Sequence, residues 1–460
     1  MKKVSCFLWL LTLSFIAGAQ TKPPVAKVIA GPMLGYAEHR ECLVWIQTAC
    51  NKSISIKYNE ANGNTEGELI INNKNENVCL PWIAKFVLTD LKPNTVYNYQ
   101  ILIDKKVTTF SYPLSFKTKK LWAEWSKEDP YDINFLVGSC NYVNDSAYDR
   151  PGKPYGQSSD IFLKMAETPS DFMLWLGDNT YTREADYSSA SGLRYRYMHT
   201  RSEPNLQKFL SKQSNYAIWD DHDFGDNDAN KNYDLKEVTK DCFANYWGNK
   251  TFGEFGRGVY HSLKYSDAEF FMLDDRTFRD ESELDEEKYK NKTQLGETQL
   301  NWLKNKLKHS ASTFKFICVG GQFLNTETDK ESFNLYKRER AEIVKFIAEQ
   351  KISGVIFLTG DRHHTELLKY EPNSKPDYIN TYPLFDLTSS ALTAGPSSIL
   401  KSKEADNPFR VSGTLLVENN YCGLKITGKR GERVVQITCY DKGGIVKWNF
   451  SISETLLKAK

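Results

Sequence analysis

Almost no net charge remains in this sequence once its 60 basic residues are set against its 58 acidic ones. Bulk electrostatics therefore give no pointer to nucleic acid or to an anionic membrane as a partner. Long apolar runs are also missing. The stretch from Val4 to Ile16 is too short to span hydrocarbon, and no later segment is long and apolar enough to do so. Neither an internal repeat nor a low-complexity tract occurs, so the chain is not a repeat array. Histidine is scarce, with seven in 460 residues, so any clustering of histidines carries information.

What is present sets the scale. A chain of this length predicts two or three units. Hydrophobic residues at 40% and aromatics at 13% supply ample material for a packed core. Lys2 and Lys3 precede the Val4–Ile16 run, and Ala17-Gly18-Ala19 follows it. That order predicts a secretory signal peptide over residues 1–19, cut before Gln20, and a secreted or periplasmic protein. An oxidising destination permits disulfides among the eight cysteines of the mature chain. Cys42, Cys50 and Cys79 lie together, as do Cys422 and Cys439, while Cys140 stands apart.

Residues 20–118 have all-β grammar. Leu43–Thr48, Ile54–Tyr58 and Val96–Ile101 are rich in branched and aromatic residues and are punctuated by Asn, Gly and Pro, which predicts a small β-sandwich. A charged linker, 119–130, follows, and the change of pattern across it predicts separately folding units. From residue 131 apolar runs alternate with helical periodicities such as Leu300, Leu303, Leu307 and Ile343, Val344, Ile347, so this region is α/β. The last fifty or so residues return to β character, as a cap or a sheet extension.

Six apolar runs in the α/β region end abruptly in polar, metal-capable residues. Phe135-Leu136-Val137 leads into Gly138-Ser139-Cys140, and Phe172–Leu176 into Gly177-Asp178-Asn179-Thr180-Tyr181. Tyr216–Trp219 leads into Asp220-Asp221-His222-Asp223, with Asp226-Asn227-Asp228 close behind. Phe270–Leu273 leads into Asp274-Asp275-Arg276, Phe316–Val319 into Gly320-Gly321-Gln322, and Val355–Leu358 into Gly360-Asp361-Arg362-His363-His364. Ligands of α/β sheets bind beyond the carboxyl ends of the strands, so these six ends predict one shared site. Each member has a plainer reading: Asp178 as a turn or cap residue, His222 as an ordinary core histidine. The series as a whole is hard to produce for packing alone, and three of the seven histidines fall within it. His364 is the expected bystander.

At these residues the sequence resembles the PhoD-like alkaline phosphatase family, a branch of the calcineurin-like metallophosphoesterases. Gly138-Ser139-Cys140, Gly177–Tyr181, Trp219–Asp223 through Asn227, Asp274-Asp275-Arg276 and Gly360–His363 are similar to successive family motifs in order, and Leu295–Leu303 is similar to the helix after the arginine motif. The resemblance implies an α/β catalytic region over 131–460. Its core would be a metallophosphoesterase-type two-sheet sandwich flanked by helices, behind a fibronectin III or immunoglobulin-like N-terminal domain. It further implies an exported phosphatase that hydrolyses phosphate monoesters, with diesters open, by attack of metal-activated water. Ferric iron would be held by Cys140, Asp178 and Tyr181. Calcium would be held by Asp178, Asp221, Asn227, Asp361 and His363, with zinc or manganese as alternative ions.

Such ligand sets are chemically sensible, since thiolate and phenolate suit trivalent iron and oxygen donors suit calcium. His222 would sit near the leaving group, oriented by Asp220 or Asp223, and Arg276 or Arg279 would hold a phosphate oxygen. Two departures stand out: Gln322 occupies a place where broader metallophosphoesterases often have histidine, and no twin arginine precedes the apolar leader. A dedicated phosphodiesterase for lipid headgroups or wall polymers, and a catalytically idle surface-binding protein, are the alternatives. The intact set of Cys140, Asp178, Tyr181, His222 and Asp361 argues against idleness.

Overall fold

The structure is a computed structural model that describes residues 26–63, 66–74, 80–149, 154–328, 330–374 and 379–460. The expected leader, 1–19, and Cys79 lie outside the described residues. The N-terminal region is all-β, as its sequence pattern predicts. Strands β1 (Lys27–Ala37), β2 (Cys42–Ala49) and β5 (Trp82–Leu88) form one sheet. Strands β3 (Ser53–Glu60), β4 (Glu66–Asn72), β6 (Val96–Ile103), β7 (Lys106–Val107) and β8 (Ser115–Lys117) form the other. Alternation along β6 places Tyr97, Tyr99 and Ile101 in the core between the sheets and Val96, Asn98 and Gln100 in solvent.

The α/β region is a sandwich of two six-stranded sheets. The first runs through β11 (Ser214–Ile218), β10 (Phe172–Leu176), β9 (Ile133–Gly138), β18 (Asn420–Thr427), β19 (Val434–Asp441) and β20 (Val446–Ser453). Its β9, β10 and β11 are parallel, and the C-terminal strands extend it antiparallel. The second runs through β12 (His261–Tyr265), β13 (Ala268–Met272), β14 (Phe314–Cys318), β15 (Val355–Thr359), β17 (Leu384–Thr388) and β16 (Glu366–Tyr370), with β13, β14, β15 and β17 parallel.

Helices α1 (Ile161–Glu167), α2 (Ala190–Arg201), α3 (Pro204–Leu210), α4 (Asp221–Phe224), α5 (Lys236–Tyr246), α6 (Gly296–His309) and α7 (Lys337–Glu349) complete the region. Helices α6 and α7 bury Leu303 and Leu307, and Ile343, Val344 and Ile347, as their spacing requires. Between the sheets Phe135 stacks on Phe172 with centroids 5.2 Å apart and meets Phe270 edge-on at 5.1 Å, while Phe270 stacks on Phe316 at 4.9 Å. Aromatic pairs of this kind add about 0.5–1.5 kcal/mol each beyond area burial.

The expectation of separately folding units meets a shared core. Strand β2 is buried along its whole length, because one face packs on the sandwich and the other on the α/β region. Ala30, Met33, Tyr36, Leu43 and Trp45 belong to the α/β region's hydrophobic cluster. Polar contacts reinforce the join: Trp45 Nε1 donates to the Asn245 carbonyl at 2.8 Å and Asn215 Nδ2 to the Leu34 carbonyl at 3.0 Å. The cysteine groupings also resolve. Cys50 is disulfide-bonded, whereas Cys42, Cys422 and Cys439 are free and buried. Cys422 and Cys439 face each other across β18 and β19 without a bond.

Candidate metal and active site

All six apolar runs are strands or strand ends, and the loops that leave them bond to one another. Cys140 N donates to the Gly177 carbonyl at 3.3 Å and Asn141 N to the Asp178 carbonyl at 2.8 Å. Within the second sheet Gly360 N donates to the Gly320 carbonyl at 2.7 Å, and across the two sheets Leu392 N donates to the Ser139 carbonyl at 2.8 Å. Such close approach needs glycine. A Cβ on Gly177, whose φ is +91°, would stand 2.6 Å from Asp220 Cβ, and one on Gly360 would stand 2.6 Å from the Leu176 carbonyl oxygen. Cys140, Asp178, Asp361 and His363 themselves hold positive φ, between 51° and 68°. Non-glycine residues rarely adopt that region, and strain of this sort concentrates at functional sites.

Three groups of donor atoms, each within 4.8 Å of one another, form a chain: Cys140–Asp178–His363, Asp178–Asp221–His222, and Asp221–Asp228–Glu331. Asp178 is common to the first two. Tyr181 joins the first group, its hydroxyl 2.9 Å from His363 Nε2, while the Tyr155 hydroxyl lies 2.9 Å from His363 Nδ1. Ser390 Oγ donates to Cys140 Sγ at 3.1 Å. A polar cavity of about 510 Å³ opens over Asp178, Tyr181, Asp221, His222, Asn227, Asp361 and His363. Cys140 lies fully buried beneath it.

The electrostatics are those of acids forced together. Burial, then Asp221 and Cys140, raise the Asp178 pKa well above the carboxylate range. Burial and Asp361 push the Cys140 thiol up to about 11, and burial with Asp178 raises the Tyr181 phenol further. Asp361 rises to about 7, burial and Asp221 outweighing Arg362. Burial lowers His222 and His363, opposed by Asp221 and Asp361 respectively. Buried thiol, phenol and carboxylates that repel one another fit a bound cation, which would favour their ionised forms. Thiol, phenol and carboxylate donors brought together in this way suit metal ions.

Other expected residues have different places. Arg276 is fully buried, not at the cavity wall: its guanidinium is held by Asp220 and, at 2.9 Å, by Glu331. Arg279 pairs with the same glutamate. Neither Asp220 nor Asp223 touches the His222 ring. Asp220 holds Arg276, and Asp223 accepts from the Asn179, Thr180 and Asp220 backbone amides at 3.0–3.1 Å. Instead His222 N donates to Asp178 Oδ1 at 3.2 Å, and the ring packs on Tyr181 with centroids 4.3 Å apart. His364 is buried, its Nε2 3.3 Å from Glu366, and Gln322 bonds Glu366 and Thr388, so both stand apart from the cavity. Asp228, from the cluster after β11, lines the cavity as well, and Tyr155, Arg183, Lys330 and Glu331 line it without having been singled out by sequence.

The fold can be matched to known structures. A solved structure of PhoD superposes with a TM-score of 0.72 at 16% identity, covering 92% of both chains. A purple acid phosphatase from yellow lupin (Lupinus luteus) seeds superposes at 0.63 and 12% identity, covering 92% of this chain and 74% of that one. In sequence, the profile of the PhoD-like phosphatases matches residues 135–440. The chain belongs to the PhoD-like phosphatase family. Residues 25–120 match a domain family of unknown function, DUF7800. Alkaline phosphatase D of Bacillus subtilis (strain 168) is 21% identical over 371 residues, 72% of this chain. That alignment spans 62% of the Bacillus protein's length. Membership in the PhoD-like family agrees with the metallophosphoesterase-type sandwich and with the site at its strand ends. No helix among the described residues is long and apolar enough to cross a membrane.

Proposed function

We propose that the protein is an exported, metal-dependent phosphatase that hydrolyses phosphate monoesters. The observation that carries the reading is Asp178, shared by two adjoining donor groups at the floor of a polar cavity. The similarity to the Bacillus alkaline phosphatase supports the same reaction class, and the Lys2–Ala19 leader supports export. Cys140, Asp178 and Tyr181 would hold ferric iron, and Asp178, Asp221, Asn227, Asp361 and His363 calcium. Bound there, such ions supply charge neutralisation and an acidified water.

The chain's own residues do the rest. Asp178 and Asp221 would hold the cations against which the phosphoryl group seats, and His222 stands where the alcohol departs. As the water oxygen bonds phosphorus and the phosphorus–alcohol bond breaks, the departing oxygen takes a proton from His222. Burial lowers the His222 pKa, while the negative charge of a docked phosphate acts the opposite way. Buried Arg276, paired to Asp220 and Glu331, positions the loop that carries Asp221 and His222.

His222→Ala is expected to slow alkyl phosphates by about 10²-fold or more, and aryl phosphates with good leaving groups by under about tenfold, at unchanged metal content. Equal losses on the two substrate types would remove His222 from proton donation. A second check concerns the ion. The purified protein is expected to be coloured by charge transfer from Tyr181, with the band lost in Tyr181→Phe and iron occupancy reduced in Cys140→Ala. A colourless, fully active protein holding only zinc or manganese would rule out the iron assignment. Matched monoester and diester kinetics test the substrate preference.

A further inference from the structure

Arginines near the site differ in how their charge is used. Arg276 and Arg279 are committed to Glu331, with Asp220 also on Arg276, and Arg362 bonds Glu404 at 2.8 Å; each of these side chains is at most 7% exposed. Arg183 lines the cavity, and its carboxylate contact is with its own neighbour, Glu184, at 3.3 Å. The Glu184 side chain is 74% exposed, so that pair is screened by water and readily exchanged.

The backbone of Arg183 is fixed just where its side chain is loosely paired. Arg183 N donates to Asp186 Oδ2 at 2.9 Å, and the same carboxylate is held by buried Arg196 at 2.7 Å. One residue earlier, Thr182 N and Oγ1 both donate to the His222 carbonyl, at 3.1 and 2.9 Å. The loop after β10 is thereby stitched to α4, and Arg183 keeps a set register to His222. Arg183 and His222 line the same cavity. A phosphoryl group seated over Asp178 and Asp221 directs its leaving group at His222, so a guanidinium registered to His222 meets that leaving group. Lys330 and Arg362 line the same cavity, Arg362 being paired to Glu404.

We propose that Arg183 makes the enzyme select phosphoesters whose departing alcohol carries a negative charge of its own, a carboxylate or a second phosphate, by pairing with that charge beside His222. This inference rests on the phosphatase reading. The test uses two nearly isosteric esters that differ by one charge, meta-carboxyphenyl phosphate and meta-carbamoylphenyl phosphate, with the full-length protein. The wild type is expected to favour the carboxylate by about tenfold or more in kcat/KM. Arg183→Gln is expected to bring the ratio to within about twofold, and Arg183→Lys to restore part of it. The product meta-hydroxybenzoate should inhibit the wild type more strongly than Arg183→Gln.

Equal loss on both esters in Arg183→Gln would place the guanidinium on the reacting phosphoryl group and overturn the proposal. A wild type without preference would overturn it as well. No hydrolysis of either ester by the metal-replete wild type would instead sink the phosphatase reading, and this inference with it.

Discussion

Asp178→Asn is expected to lower kcat by at least about 10³-fold while leaving the metal-free protein as stable as the wild type, or more so. The first half follows from the place of Asp178 in two adjoining donor groups: losing the shared carboxylate disturbs both ions and the charge stabilisation they give, an effect of several kcal/mol. The second half follows from repulsion. Asp178 is buried among Asp221, Cys140, Asp223 and Asp361, and its pKa is raised accordingly. Asparagine keeps the shape and the Asp178–Asn141 backbone contact but removes the charge. A residue kept for folding would lose stability on this change; one kept for chemistry loses rate and relieves strain. Thermal unfolding in the presence of chelator and steady-state kinetics with metals check the two halves. A kcat within tenfold of wild type would remove Asp178 from the centre of the site.

The largest stability effect is expected far from the chemistry, at Asp267. Arg433 is fully buried and reaches Asp267 through two bonds, at 2.8 and 3.0 Å. It also donates to the Gly428 carbonyl at 2.9 Å and the Tyr131 carbonyl at 3.1 Å. One side chain thus ties the turn between β12 and β13 to the hairpin of β18 and β19 and to the end of the linker. Asp267→Ala leaves the buried guanidinium with only a 3.7 Å contact to exposed Asp132 and is expected to cost about 3–5 kcal/mol. Replacing both partners by apolar residues, Asp267→Leu with Arg433→Met, is expected to recover most of the loss, because the penalty comes from the orphaned charge. Chemical unfolding of the three proteins measures this. A single-variant cost below about 1 kcal/mol would mean that water reaches Arg433.

The site was legible where chemistry follows an apolar run directly. Gly177-Asp178, Asp220-Asp221-His222 and Gly360-Asp361 each sit at a parallel strand's carboxyl end, so pattern and topology point the same way. Tyr155, Arg183 and Glu331 gave no such signal: they stand well past the ends of β9, β10 and β14, and only the tertiary fold brings them to the cavity. Arg276 shows the limit of a motif. Its spacing after β13 places it near the site, but whether its side chain turns outward to phosphate or inward to Asp220 depends on a partner, Glu331, that is distant in sequence. The shared core was written in the unbroken apolar run Leu43-Val44-Trp45-Ile46, since a strand with one wet face would alternate. The two-sheet architecture was implied by the family resemblance and the β character of the C-terminal end by its strand content, while the choice between cap and sheet extension and the order of the strands needed the structure.

The central claim is that this cavity hydrolyses phosphoesters through ions held at Asp178. Its most direct test is release of inorganic phosphate from phenyl phosphate by the purified protein, with the metal content of the same sample determined. Turnover is expected to be lost on chelation, restored by adding back the ions found, and absent in Asp178→Asn. A folded, metal-replete protein that releases no phosphate from phenyl phosphate or from a matched diester would contradict it.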